Sequence, residues 1–322
     1  MNKKLLLIVS LITVLLLAAC GTKVSTTEKA ATGTTNDKLS IYTTVYPLQY
    51  FTERIGGDYV DVKSIYPAGS DEHTFDPTQK DMMALADSDL FFYVGLGLEG
   101  FVDNAKKTLK NEHVKMIATA EAIPEEMLDE GHEEHEEHEG HEDHDHGSLD
   151  PHVWISPVLS VELATSIKEA LSEAAPEMKV EFEKNFDQLK VELDELDGKF
   201  KEMADNAPSK TFYVSHASFG YIAHSYGLEQ VAIAGLNSQS EPSQKQLAEI
   251  VKEAKERNVH SVLFEQNVSS KLTEVVRKEL GAESLMLHNL GVLTVDDIKN
   301  NETYFSLMEQ NIETLKKALS GK

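Results

Sequence analysis

Cysteine is all but missing from this chain. Cys20 is the only one among 322 residues. No disulfide can form within the chain, and no zinc–thiolate cluster can be built. Any transition-metal site must therefore draw on His, Asp or Glu. Positive charge is also scarce: 30 Lys and Arg face 55 Asp and Glu, for a formal charge of −25. That balance argues against nucleic acid as a partner and against adhesion to anionic lipid through the protein surface. Long apolar runs are lacking as well. The most apolar stretch, Leu5 to Leu17, falls short of the roughly 20 residues that a transmembrane helix needs.

That stretch follows Lys3 and Lys4 and ends in Leu17-Ala18-Ala19-Cys20-Gly21. A positive start and a short apolar core make a secretory signal over residues 1–19. The ending resembles a bacterial lipobox, and the resemblance implies cleavage before Cys20 and lipidation (palmitate) of its sulfur. Residues 20–38, rich in Thr, Ala, Ser and Gly, read as a flexible tether.

About 280 residues follow, enough for two lobes with cores of their own. From Leu39 the apolar pattern alternates between short strands and helices. Strands are expected at Leu39–Val45, Val60–Ile65, Leu90–Val94 and Val114–Ile117, with helices at Leu48–Ile55, Thr78–Ala86 and Leu98–Leu109. The same alternation resumes with strands at Thr211–Ser215, Val231–Ala234, Val259–Phe264 and Glu283–Leu287. Helices at Ser243–Arg257, Lys271–Leu280 and Glu302–Leu319 accompany them. This is the signature of mostly parallel sheets covered on both faces. Between the halves, Ser156 and Pro157 read as the N-cap and first turn of one helix. From Pro176, apolar residues recur at spacings of three or four: Met178, Phe182, Phe186, Leu189, Leu193, Leu196, Phe200 and Met203. That is a single stripe on a helix of about 28 residues, spanning about 42 Å. The expected organisation is an α/β lobe over 39–175, a connecting helix over 176–207, and a second α/β lobe over 208–322.

Histidine is what the chain has in unusual places. His73 sits in a loop after a strand, among Gly69, Asp71, Glu72, Asp76 and Pro77. His152 is wedged between Pro151 and the region of the only tryptophan, Trp154, just before a helix N-cap. His216 and Glu265 each follow a predicted strand, and open α/β sheets bind ligands beyond the carboxyl ends of their strands. These residues point to a metal site in the cleft between lobes. His113, His224, His260 and His288 carry no such signal and are read as packed or solvated.

The chain resembles the metal-specific solute-binding lipoproteins of bacterial ABC importers, most closely the zinc-uptake members. The resemblance rests on the His73 loop and on Asp150-Pro151-His152-Val153-Trp154-Ile155-Ser156-Pro157. It rests also on His216-Ala217-Ser218-Phe219-Gly220-Tyr221 and Phe264-Glu265-Gln266-Asn267-Val268-Ser269-Ser270-Lys271. It implies two α/β lobes joined by a long helix around a buried metal. It implies His73, His152 and His216 as ligands, with the fourth position on Glu265, or else on Glu72 or a water. Three imidazoles and a carboxylate favour zinc, whereas manganese prefers more oxygen.

The segment 125–147 is an insertion of another kind. It holds His132, His135, His138, His141, His144 and His146, twelve acidic residues and no basic ones. Such a composition cannot bury a core, and it suits weak metal capture or handover. The resulting expectation is a monomeric zinc receptor, lipid-anchored on the outer face of the cell membrane, that serves an ABC permease and its cytoplasmic ATPase. It is not expected to be an enzyme. A zinc hydrolase would need an open coordination position and a general base, and the chain has no His-Glu-x-x-His helix. A surface adhesin is the other alternative.

Overall fold

The computed structural model describes residues 38–129, 149–268 and 270–321. The signal segment, Cys20, nearly all of the tether and the six histidines of the insertion lie outside the described residues. Strands β1 (Leu39–Thr43), β2 (Val60–Ser64), β3 (Leu90–Tyr93) and β4 (Lys115–Ala118) form one sheet in the order β2-β1-β3-β4. Strands β5 (Thr211–His216), β6 (Glu229–Ala234), β7 (Ser261–Phe264) and β8 (Glu283–Met286) form a second in the order β6-β5-β7-β8. Every strand pair is parallel. The two sheets share one topology, and in each the strand order reverses between its two central strands. The carboxyl ends flanking that reversal are where open α/β sheets bind ligands.

The central strand β3 is Leu-Phe-Phe-Tyr and buried throughout, as a strand covered on both faces must be. Around the first sheet lie α1 (Tyr46–Gly56), α2 (Gln79–Ala86) and α3 (Val102–Thr108). The third is shorter than its apolar pattern suggests. Gly95, Leu96 and Gly97 all take positive φ, so the chain turns there before a helix can start. Next come α4 (Pro157–Ala174) and α5 (Lys179–Asn206), and beside the second sheet α6 (Gly220–Ser225), α7 (Gln244–Glu256), α8 (Lys271–Leu280), α9 (Val295–Asn300) and α10 (Tyr304–Ala318). Ser156 caps α4 by accepting from the Leu159 amide, a contact worth about 1 kcal/mol.

Helix α5 is 28 residues long. It starts three residues after Pro176, because Pro176–Met178 forms a tight 3₁₀ turn first. Its stripe buries Phe182, Leu189, Leu193, Leu196, Phe200 and Met203. At one end Asn185 donates to the Ile55 carbonyl at 3.0 Å, and Glu192 pairs with Arg54. At the other, Phe200 stacks on Tyr226 at 5.3 Å and Lys199 pairs with Glu309. The helix thus packs on elements of both sheets. The halves also meet directly. Backbone amides of Tyr46 and Gly69 donate to the carbonyls of Gly291 and Leu293, both at 2.9 Å. Buried side chains of both halves join in one continuous apolar core. Among the described residues no helix is long and apolar enough to cross a membrane.

Candidate metal centre

Three loops deliver three imidazoles to the line where the sheets face each other. His73 lies between β2 and α2. Asp71 Oδ1 accepts from the His73 amide at 2.9 Å, a local turn that fixes the backbone, while Tyr66 packs edge-on against Phe75 at 5.0 Å and braces the loop. His152 lies between β4 and α4, held by the 3₁₀ turn Val153–Ile155 that leads into the Ser156 cap. His216 is the last residue of β5, one of the two central strands of the second sheet. Its place at a carboxyl end beside the reversal of strand order matches the position expected from the sequence.

The three rings converge, with centroids 5.0, 5.2 and 5.3 Å apart. One donor nitrogen from each lies within 4.8 Å of the others. The Nε2 atoms of His73 and His152 are 3.2 Å apart. Tetrahedral bonds of about 2.05 Å require donor separations of about 3.3 Å, so this pair already has the spacing a small metal ion needs. His152 and His216 are fully buried.

The far side of two rings determines what the near side can do. His152 Nδ1–H donates to Asp150 Oδ1 at 2.7 Å, and the His152 amide donates to the same oxygen at 2.9 Å. His216 Nδ1–H donates to Glu265 Oε2 at 2.8 Å. Holding the proton on Nδ1 leaves the Nε2 lone pair free and makes it more basic, the arrangement that metal-binding histidines use. Among the described residues, His216 Nε2 is buried without a hydrogen-bond partner. A buried polar atom left unpaired is costly; here it points at the other two imidazoles. Three imidazole nitrogen donors facing one point fit a divalent transition metal, which binds them in their deprotonated form.

The carboxylates divide into two roles. Ser215 and Ser218 donate to Glu265 Oε1 and Oε2 at 2.6 and 2.9 Å, and Asn289 Nδ2 donates to Oε2 at 3.0 Å. With His216 Nδ1 added, both oxygens are engaged. Burial alone would raise the Glu265 pKa. The His216 charge and the bonds from His216, Ser215 and Asn289 outweigh it and hold the carboxyl at about 2. From sequence, Glu265 ranks ahead of Glu72 as the fourth ligand. In the structure it lies on the Nδ1 side of His216, away from the converging nitrogens, and it is not in the group of three donors. Glu72 is different. It is nearly inaccessible and adjoins His73 in the chain, and its carboxylate accepts from Asn267 Nδ2 at 2.7 Å and Asn289 Nδ2 at 3.2 Å. Burial pushes its pKa up to about 7.

The histidines themselves are also perturbed. Burial, then the charges of His152 and His216, push His73 down to about 3. Burial lowers His216 too, but the Glu265 charge and hydrogen bond prevail and the net shift is upward. Among the described residues the other histidines stay apart: His224 Nδ1 bonds Asp129 at 2.6 Å, and His288 Nε2 bonds Asp297 at 3.1 Å. Sequence reasoning passed over Asp150, although the Asp-Pro-His spacing that lets a carboxylate fold back on its own histidine was visible. It also passed over Asn289, for which the sequence carries no signal.

The family model for ZnuA, zinc-uptake complex component A periplasmic, matches residues 41–318. The zinc-binding lipoprotein AdcA of Streptococcus pneumoniae is 36% identical over 315 residues, 98% of this chain and 60% of its own length. This chain therefore spans less than two thirds of that relative. The high-affinity zinc uptake system protein ZnuA of Bacillus subtilis is 36% identical over 305 residues, covering 95% of this chain and 94% of that one. The crystal structure of the Zn(II)-bound ZnuA-like domain of pneumococcal AdcA superposes with a TM-score of 0.72 at 35% identity, covering 88% of this chain and 99% of that one. On the match across nearly the whole described length and these identities, the chain belongs to the ZnuA family.

Proposed function

We propose that this protein is a high-affinity zinc receptor that binds the ion outside the cytoplasm and passes it to an ABC permease driven by a cytoplasmic ATPase. The observation that carries the reading is the convergence of three imidazoles, with one nitrogen of each within 4.8 Å of the others and two of the rings held by carboxylates at Nδ1. His73, His152 and His216 are the ligands. Glu265 orients His216 from outside the coordination sphere, and Glu72 is the nearer candidate for the fourth position, with water as the alternative. Zinc is cargo here, so the protein is a binding protein and not an enzyme. The family match and the names of the relatives support zinc as the ion and uptake as the purpose.

A lipid on Cys20 would anchor a monomer to the outer face of the cell membrane, with residues 20–38 as tether, 39–175 and 208–322 as lobes, and 176–207 as connector. The insertion histidines, His132 to His146, would gather zinc weakly and hand it on to the main site.

Competitive titration against a zinc chelator tests the reading. One tight zinc per chain is expected, poorly displaced by manganese, and lost in His73→Ala, His152→Ala and His216→Ala. Delivery is tested by growth in zinc-limited medium, where those variants should fail and added zinc should rescue them. A site preferring manganese under equal competition, or full affinity in any of the three variants, refutes the assignment.

A further inference from the structure

Asn289 touches a neighbour of every candidate ligand. It lies in the loop between β8 and α9 and is 1% exposed. Its Nδ2 faces three oxygens: Glu265 Oε2 at 3.0 Å, Asn267 Oδ1 at 3.0 Å and Glu72 Oε1 at 3.2 Å. Its Oδ1 faces two donors, Gln266 Nε2 at 2.7 Å and the Gly291 amide at 3.0 Å. Its carbonyl accepts from Trp154 Nε1 at 2.7 Å, and its amide donates to Gln266 Oε1 at 3.1 Å. No polar atom of the residue is idle.

These partners lead to the three imidazoles by separate routes. Glu265 holds His216. Trp154 stands edge-on to His152 with ring centroids 5.3 Å apart. Glu72 is joined to His73 by a single peptide bond. One buried amide therefore links the supports of ligands from both halves of the chain. Its orientation is forced. Turned over, the amide would set Oδ1 against three oxygen acceptors and Nδ2 against two donors, which hydrogen-bonding chemistry forbids. Only a neutral group that donates on one side and accepts on the other fits between Glu72 and Glu265. A carboxylate there would face two more, and an apolar side chain would leave buried polar atoms unpaired.

We infer that Asn289 is the positioning residue of the metal site, setting the mutual geometry of the three imidazoles and holding Glu72 beside them. This rests on the zinc reading above. Zinc affinity and cobalt(II) absorption of the full chain provide the test, with cobalt as a visible reporter of coordination geometry. Asn289→Ala should weaken zinc binding by roughly 10–100-fold, the range for residues that orient metal ligands. It should also change the position or intensity of the cobalt bands at full saturation, which a merely less stable fold would not do. Asn289→Asp keeps the shape and removes the donor, so it should show the same spectral change even if the alanine variant does not fold. Asn185→Ala, which removes an amide contact on α5 far along the chain from the ligands, should leave the spectrum unchanged. A cobalt spectrum in Asn289→Asp identical to that of the unaltered protein overturns the inference. Absence of a tight site in the unaltered protein would instead sink the zinc reading, so the two failures are distinct.

Discussion

Replacing Glu265 by glutamine should uncouple zinc binding from proton release. In the metal-free protein burial lowers the His216 pKa, but the charge and hydrogen bond of Glu265, with the charges of Glu72 and Asp71, together lift it above its ordinary 6.5. At pH 6.5 His216 is then more than half protonated. Its Nδ1 already bonds Glu265, so the titrating proton sits on Nε2, on the side that faces the other imidazoles. Zinc must displace it. Below the His216 pKa, affinity should fall by about tenfold, or about 1.4 kcal/mol, per pH unit. His73, held at about 3, adds nothing to that slope until far lower pH, whereas Glu72, raised to about 7, adds a second proton wherever zinc takes it as a ligand. Glutamine removes the Glu265 charge and leaves burial, which acts in the opposite sense, so the His216 pKa should drop. Proton release on binding at pH 6.5 should fall by the share that His216 supplied. The affinity-versus-pH curve should flatten between pH 6 and 7. Affinity at neutral pH should still drop roughly 10–100-fold, because the ring loses its orienting carboxylate. Calorimetric titration with zinc in two buffers of different ionisation enthalpy at one pH measures the released protons directly. Equal proton release by the two proteins would refute the reasoning.

Two glycines and one insertion supply further tests. A Cβ on Gly291 would stand 2.5 Å from Glu72 Oε1, and one on Gly220 would stand 2.8 Å from Asp150 Oδ2. Gly291→Ala should therefore push Glu72 aside and Gly220→Ala should tilt the carboxylate that orients His152. Each should weaken zinc binding by roughly tenfold or more while the protein stays folded by circular dichroism; unchanged chelator competition in both would show that neither carboxylate matters. Asp150 donates its amide to the Asp129 carbonyl at 3.0 Å, so the ends of the histidine-rich insertion already meet. Replacing residues 131–147 by a short turn should remove weak zinc sites and leave the tight one, since all candidate ligands lie elsewhere. Loss of the tight site in that titration would place a primary ligand within the insertion.

Much of this protein was decided locally and could be read from the sequence. The α5 stripe, the Ser156 cap and the strand–helix alternation depend on neighbours three or four residues apart, and the structure follows them closely. His216 could be picked out because β-strand periodicity showed where β5 ends, and ligands gather at such ends. Helices α6 and α9 were missed. At six residues each, they are too short for an apolar period to register. The roles of the carboxylates were decided only in three dimensions. From sequence Glu265, at the end of a predicted strand, ranks ahead of Glu72 as the fourth ligand. In the structure Glu265 backs the His216 ring from its Nδ1 side, whereas Glu72 is held by Asn267 and Asn289. That follows from packing the ends of β5 and β7 against the His73 loop. Asn289 reaches Glu72 across 217 positions of chain, a separation over which no local pattern carries information. Closure of the two halves makes that contact, and burial then makes every one of its hydrogen bonds count, because water is no longer there to replace them.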